Sequence, residues 1–347
     1  MIWQSVTDLL SDVSVTGIRA NKLGPMAARN WPAQGRPVPD ALASDARLAR
    51  AAWISSQPLL RRIRAQTEGP LLLIKGPEVA ALYPGHARGF MDLDLISPNA
   101  AAVHAALRAD GFVEVEDPEL FENHHHLRPL QRPEMFLRVE IHERPMWPAH
   151  LRPPAVAEIV DGAVASATGV DGISAPDPAA HALILCSHAW VHEPLDTLRD
   201  LIDVSVVAAQ AEPARLEELA RQWGIERIWK TTYRAASGLL ETRQPTRATR
   251  VWGRHLPAVA ERTVVGNHLQ RWLSGFWALP PRAALQWLAG VFAQELRPYP
   301  DETWGEKLIR VRAAFATPRA PMSTHTKAWQ QAARAQGRRS DADEGGR

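Results

Sequence analysis

One short segment, residues 90–96, alternates large apolar residues with two carboxylates, Asp92 and Asp94. It contains no Gly or Pro and is bounded by turn-forming residues on both sides, which predicts a β-strand. Side chains two positions apart on a strand share a face, about 7 Å apart along the chain. The other face should point into a core, through Met91, Leu93 and Leu95. The segment therefore requires a sheet with one apolar face and two acids on the opposite face.

A second alternating segment, residues 136–142, contributes a third acid, Glu140. Its apolar face carries Leu137, Val139 and Ile141, and its polar face carries Arg138, Glu140 and His142. If the two strands are neighbours, Glu140 joins Asp92 and Asp94. Three carboxylates can hold two divalent ions about 3.5–4 Å apart, an arrangement suited to in-line phosphoryl displacement. Such hard oxygen ligands favour Mg²⁺ or Mn²⁺. The alternative interpretation is a solvated outer face of a sheet.

Further motifs occur in a fixed order around these strands. They are Ile74-Lys75-Gly76, Leu82-Tyr83-Pro84, Arg88, Met91-Asp92-Leu93-Asp94-Leu95, His125-His126-Leu127-Arg128-Pro129-Leu130 and Val139-Glu140-Ile141-His142, followed by residues 180–188 and 198–203. The series resembles the uncharacterised nucleotidyltransferase family with the polymerase-beta-type fold, over roughly residues 70–210. The resemblance implies metal-dependent transfer of an NMP group from an NTP to an acceptor, which it does not identify. It also implies that Asp92, Asp94 and Glu140 are catalytic and bind Mg²⁺ or Mn²⁺.

The same resemblance assigns nucleotide or phosphate binding to Lys75, Gly76, Arg88 and His142. A Lys at the end of a strand can place a point charge on a triphosphate. An Arg in the loop before the acids can stabilise charge on the transferring phosphoryl group. Both residues could instead be solvated. Pro77 departs from the family pattern, because it follows the phosphate-loop glycine and has no N–H to offer a phosphate.

Several histidines are candidates for the wall of a substrate cleft: His125, His126, His188 and His192. The last two are spaced i, i+4 on a predicted helix, a spacing that can also bind Zn²⁺. The segment lacks the internal Glu of a metalloprotease motif, so partly buried, hydrogen-bonded histidines are the simpler alternative. We expect this wall to select the acceptor.

The pattern of elements predicts an α+β fold: a small mixed sheet with helices, forming the nucleotidyltransferase core, plus a helical N-terminal segment and a helical C-terminal domain. The predicted parts are residues 1–68 (helical, interrupted at Pro58), 69–150 (core), 151–175 (connecting strands and turns), 176–317 (helical domain) and 318–347 (a disordered tail). Asp177 should cap the first helix of the C-terminal domain, with Pro178 at its first position.

Composition narrows the possible classes of function. The 347 residues carry a net charge of +2 and one cysteine, Cys186, so no intramolecular disulfide can form. No apolar stretch reaches membrane-spanning length and no signal peptide is evident, which leads us to expect a cytoplasmic protein. There is no P-loop or dinucleotide-binding motif. Without a basic, aromatic groove, nucleic acid is a disfavoured partner. The expected partners are an NTP and an acceptor that could be a small molecule, a sugar phosphate, a peptide or a protein; the oligomeric state is open.

Two other functions remain compatible with the sequence. One is a degenerate nucleotidyltransferase fold that binds a nucleotide or a partner protein, which Pro77 keeps open. The other is a metal-binding module built on His188 and His192.

Overall fold

A computed structural model of the protein describes residues 2–115, 125–148, 151–263, 266, 270, 272–298 and 302–316. Its helices are α1 Ile2–Leu9, α2 Val15–Ala20, α3 Gly24–Asn30, α4 Asp40–Gln66, α5 Pro77–Ala80, α6 Ala100–Ala109, α7 Val156–Asp161, α8 Pro178–His192, α9 Leu198–Ala208, α10 Pro213–Gln222, α11 Glu226–Leu240, α12 Arg247–Trp252, α13 Gly275–Ala278, α14 Pro281–Leu296 and α15 Trp304–Ala316, with short 3₁₀ turns at Pro32–Gln34 and Pro84–His86. Its strands are β1 Leu72–Leu73, β2 Asp92–Ile96, β3 Val113–Glu114, β4 Leu130–Gln131, β5 Arg138–His142, β6 Val164–Ala165 and β7 Ser174–Ala175.

The strands of the described residues form one mixed sheet in the order β3-β4-β5-β2-β1-β7-β6. The central strand β2 runs parallel to β5 and antiparallel to β1. Helical segments precede and follow the sheet in the chain. The predicted fold class, a small mixed sheet with helices at both ends, is confirmed.

The register of β2 and β5 places the acids side by side. Asp94 is paired with Glu140 and Asp92 with Arg138. The alternate residues of both strands are fully buried in a cluster with α4 and α6; they are Leu93, Leu95, Val139 and Ile141. The carboxylates therefore lie on the opposite face, which Ile96 shares and which packs against α8 and α9. The prediction for Met91 is wrong: it is 45% exposed, because β2 begins one residue later.

The helices before and after the sheet share one hydrophobic cluster. This cluster joins residues of α1 to α3 with residues of α8 to α11 and with the face of the sheet that carries the acids. The N-cap of α8 is confirmed, because the side chain of Asp177 accepts hydrogen bonds from the N–H groups of Ala179 and Ala180. The boundaries predicted for the domains stay a prediction.

Two local predictions need correction. Pro58 does not interrupt the N-terminal helices, since α4 continues through it from Asp40 to Gln66. Residues 151–175 contain the helix α7 as well as the expected short strands. The tail predicted for residues 318–347 lies outside the described residues. Among the helices that are described, none combines the length and the apolar character needed to cross a bilayer.

Candidate functional site

Three side chains from the two central strands converge on the acidic face of the sheet. Asp94, Glu140 and His142 each offer one ligand atom, and these atoms lie within 4.8 Å of one another. His142 Nε2 is 3.2 Å from Asp94 Oδ1 and 3.8 Å from Glu140 Oε2. Strand pairing explains the arrangement, because Asp94 faces Glu140 across the ladder and His142 is two residues further along the same face.

Buried polar atoms in this cluster lack partners among the described residues. Asp94 and His142 are 3% and 1% exposed, and neither Asp94 Oδ2 nor His142 Nδ1 has a hydrogen-bond partner there. A buried acceptor without a partner is costly, and such atoms often mark a site for an ion or a ligand. Two carboxylates and one imidazole form a ligand set that fits a divalent ion, since carboxylates suit Mg²⁺ and Mn²⁺ and imidazole suits the transition metals.

Asp92 begins β2 and lies outside the group of three ligand atoms. Burial and the negative charge of Asp94 raise its pKa. At Asp94 burial also favours the neutral form, but the hydrogen bond from His142 and the charge of Lys75 outweigh it and hold its pKa well below the usual range. The carboxylate of Asp92 is thus held beside the firmly ionised carboxylate of Asp94. A divalent cation would relieve this repulsion. That Asp92 shares an ion with Asp94 and Glu140 stays a prediction.

The loop after β1 packs directly against the backbone of the first acid. Gly76 has φ +61, and a Cβ built on it would lie 2.6 Å from the carbonyl oxygen of Asp92. Only glycine fits there without displacing the strand. The N–H of Ile74 donates to Asp94 O at 2.9 Å, so the loop and the acids are held in one frame. Pro77 occupies the first position of the short helix α5, where no N–H is needed for the helix.

Arg88, assigned by resemblance to phosphate binding, forms a buried ion pair. Its Nε and Nη2 donate to the two carboxylate oxygens of Asp203 at 2.9 and 2.7 Å, and both residues are 2% exposed. Tyr83 OH donates to the same carboxylate at 2.6 Å, and Arg88 Nη1 donates to Gly76 O at 3.4 Å. The pair joins α9 to the glycine loop. A contact between Arg88 and phosphate stays a prediction.

Lys75 and His188 meet beside the glycine loop. Lys75 Nζ lies 3.0 Å from His188 Nε2 and 3.2 Å from Nδ1. Since Lys75 precedes Gly76 directly, the contact brings α8 to the strand end that carries the loop. His192 ends the same helix, but its side chain lies outside the described residues, so the proposed zinc pair and its place in the cleft stay predictions.

The two other cleft histidines adjoin the acidic cluster. The rings of His125 and His126 lie 5.2 and 5.1 Å from the ring of His142, centroid to centroid. His126 Nε2 is 3.6 Å from Glu140 Oε2, and His126 Nδ1 donates to Leu127 O at 2.7 Å. Their backbone is held to the end of β5, because His126 forms an isolated antiparallel bridge with His142. Substrate contact by either ring stays a prediction.

Sequence reasoning missed several groups around the acids. His142, predicted to orient a carboxylate or to contact phosphate, lies within reach of Asp94 and Glu140, and its contact with phosphate stays a prediction. Asp203 received no role, although it holds Arg88. Arg199 stands in the same motif, and its charge acts on Asp92. The sequence carried a signal for these groups, because Arg199, Asp200 and Asp203 lie together on one predicted helix.

The chain matches one family model, described as an uncharacterised nucleotidyltransferase, over residues 3–241. This match extends well beyond the motif-bearing region and includes the N-terminal helices and α8 to α11. No curated protein and no solved structure matches the chain.

Proposed function

The chain belongs to this uncharacterised nucleotidyltransferase family, and we propose that it is a divalent-metal-dependent enzyme that moves an NMP group from an NTP to an acceptor. The observation that supports this most strongly is the convergence of Asp94, Glu140 and His142 within 4.8 Å, with the Gly76 loop packed against the same strand. A polyanionic NTP requires a cation site, which the three ligand atoms would provide, and the packing of the Gly76 loop against Asp92 would hold that loop beside it.

Asp94 and Glu140 would hold the ion, His142 would complete its ligand set, and Asp92 would turn toward it or toward a second ion. A bound divalent cation supplies Lewis-acid stabilisation of charge on the phosphoryl oxygens. Mg²⁺ and Mn²⁺ are both proposed, and the imidazole favours Mn²⁺.

The transfer forms a bond between the acceptor oxygen and the α-phosphorus and breaks the bond from that phosphorus to the oxygen bridging it to the β-phosphorus. Pyrophosphate leaves with the electron pair of the broken bond. The proton of the acceptor hydroxyl would pass to a carboxylate oxygen of Glu140, which is the more exposed carboxylate of the cluster at 20%. An acceptor would reach the cluster at Glu140.

The test is pyrophosphate release from each of the four NTPs with Mg²⁺ or Mn²⁺, together with acceptor mass gain in the presence of candidate small molecules, sugar phosphates, peptides and proteins. Asp94→Asn or Asp92→Asn keeps the side-chain shape and removes a charge, so we expect a loss on the order of 10²–10³-fold in rate. Calorimetric Mn²⁺ binding should weaken in Asp94→Asn as well.

The matched control is Asp45→Asn, which neutralises a carboxylate of α4 that pairs with exposed Arg19. It should leave both rate and Mn²⁺ affinity unchanged. Near-normal turnover in Asp94→Asn would defeat the proposed chemistry. Nucleotide binding without pyrophosphate release under any condition would favour the degenerate, binding-only function instead.

A further inference from the structure

Asn21 ties the N-terminal helices to the first turn of α9. Its carboxamide oxygen accepts a hydrogen bond from the N–H of Leu198 at 3.0 Å, and its Nδ2 donates to Gly17 O and Ala260 O at 3.0 and 3.1 Å. The residue is 1% exposed, so these bonds are sheltered from water. The chain neighbours of Asn21 and Leu198 are therefore held close together.

Those neighbours are both cations. Lys22 follows Asn21 and Arg199 follows Leu198. Lys22 is the left-handed residue, with φ +57, of the turn that ends α2, where the N–H groups of Lys22 and Leu23 donate to Arg19 O and Ile18 O at 3.0 Å. This turn fixes where the exposed side chain of Lys22 leaves the backbone.

Arg199 directs its guanidinium toward the start of β2. Its Nη1 donates to Gly89 O at 3.4 Å, and its Nη2 donates to Asp200 Oδ1 at 3.3 Å. Its Nε is buried and has no hydrogen-bond partner within the described residues. A buried donor without a partner is costly, so this guanidinium is a candidate for a further ligand.

Lys75, held at the end of β1 by its contact with His188, lies near enough for its charge to act on Lys22 and on the two acids of β2. The positive charge of Arg199 is the main cause that lowers the pKa of Lys22, and Lys75 acts in the same direction. Asp200 and, further off, Asp196 face this group as counter-ions. Burial opposes ionisation of Asp200, but Lys22, Arg199 and Lys75 outweigh it and lower its pKa below the usual range. Three cations therefore face one firmly ionised carboxylate.

We infer that Lys22, Lys75 and Arg199 form a clamp for the polyphosphate of the nucleotide. This inference rests on the proposed function and extends it, because it makes a residue outside the sheet part of the substrate site. The clamp would neutralise the β- and γ-phosphates and stabilise the leaving pyrophosphate. A phosphate group of the acceptor offers the same chemistry, and the test separates the two sources.

The test measures binding of inorganic tripolyphosphate to the full chain by calorimetry, in metal-free buffer at low ionic strength. Lys22→Gln should weaken binding roughly tenfold, as expected for one lost charge contact near a protein surface. Arg199→Gln should weaken it at least as much. The matched control is Arg19→Gln, which removes a cation three residues from Lys22 whose partner is Asp45 and should change affinity less than about twofold.

Inorganic monophosphate and AMP identify the source of the anion. Both should bind far more weakly than tripolyphosphate, and a non-hydrolysable NTP analogue should compete with tripolyphosphate. Equal affinity for monophosphate and tripolyphosphate would assign the cations to the acceptor and overturn the inference. Unchanged tripolyphosphate affinity in both Lys22→Gln and Arg199→Gln would also overturn it, provided both variants unfold at the wild-type temperature. If Arg199→Gln fails to fold, the tripolyphosphate affinity of Lys22→Gln, a change at an exposed side chain, decides whether the inference stands.

The inference and the proposed function can fail separately. If pyrophosphate release depends on Asp94 but not on Lys22, the proposed enzyme activity stands and the clamp is refuted. If tripolyphosphate binding depends on Lys22 but no NTP yields pyrophosphate, the polyphosphate site stands and the proposed enzyme activity is refuted.

Discussion

Neutralising Asp203 should destabilise the protein strongly, because it leaves a buried guanidinium without its counter-ion. The carboxylate receives three hydrogen bonds, two from Arg88 and one from Tyr83, at 2.6 to 2.9 Å. Both charged residues are 2% exposed. In Asp203→Asn the amide retains one acceptor oxygen, so part of the hydrogen bonding survives while the charge is lost.

The magnitude follows from burial and from the surrounding charges. Removing one partner of a buried ion pair typically costs about 3–5 kcal/mol, since the other charge stays desolvated. Burial favours the neutral forms of Asp92 and Asp94, whereas the charge of Arg88 favours the ionised form of each. These acids would partly compensate the orphaned cation. We therefore expect Asp203→Asn to lower the free energy of unfolding by about 3 kcal/mol, near the lower end of that range.

Urea unfolding followed by tryptophan fluorescence measures this loss as a change in midpoint at constant slope. The control is Asp45→Asn, whose partner Arg19 is 54% exposed. An exposed pair is worth less than about 1 kcal/mol. A second readout is Mn²⁺ binding, which should weaken in Asp203→Asn because the uncompensated charge of Arg88 repels a cation near Asp94.

A combined variant separates the pair from its parts. Arg88→Met with Asp203→Leu and Tyr83→Phe replaces both charges, and the hydroxyl that donates to Asp203, with apolar groups of similar size, and should recover most of the lost stability, as buried pairs often permit. The reasoning is refuted if Asp203→Asn costs no more than Asp45→Asn. It is also refuted if the combined variant loses as much stability as Arg88→Met, Asp203→Leu and Tyr83→Phe lose in sum.

Two other substitutions test the loop and the buried histidine beneath it. Gly76→Ala should lower the free energy of unfolding in urea by about 1–3 kcal/mol more than Gly35→Ala does. Both glycines have φ near +65, but only a Cβ at Gly76 would meet backbone, at Asp92 O. Equal losses in the two variants would contradict the close approach. Burial lowers the pKa of His181 to about 4, so the folded protein binds fewer protons than the unfolded chain between about 6.5 and 4, and stability should fall as pH falls through this window. In His181→Gln, which keeps a donor for Ile74 O, unfolding titrations should show a shallower dependence on pH across that window; an unchanged slope would exclude His181 as a source of the acid sensitivity.

Alternation along β2 and β5 was enough to predict which residues are buried and which acids share a face. A strict period of two admits only one assignment of faces, and the apolar set it selects includes Leu93, Leu95, Val139 and Ile141, all fully buried. The error at Met91 arises at the strand end, where the pleat begins one residue later than the pattern suggests. Pairing of Asp94 with Glu140 required the two strands to be neighbours, which the resemblance supplied and periodicity alone could not.

The long-range partners could not be predicted from sequence. Asp203 is 115 residues from Arg88, and Asn21 is 177 residues from Leu198. No local pattern relates residues at such separations, because their contact depends on how whole helices pack. The two-residue strand β7, which pairs with β1 through Leu72 and Ser174, is likewise too short to leave a periodic signal.

These long-range contacts constrain how substrates can reach the acids. Moving α9 away from the sheet would separate Arg88 from Asp203 and break the bond from Leu198 to Asn21, so a wide hinge at this helix would expose a buried ion pair. We therefore expect α9 to stay fixed during turnover. The acceptor would then approach from the β5 side, where Glu140 is 20% exposed and lies 3.6 Å from His126. The polyphosphate would lie toward the first turn of α9, where Arg199 contacts Gly89. Acceptor selection and nucleotide binding would thus occupy different walls of one site, and substitutions at His125 should change acceptor use without changing tripolyphosphate affinity.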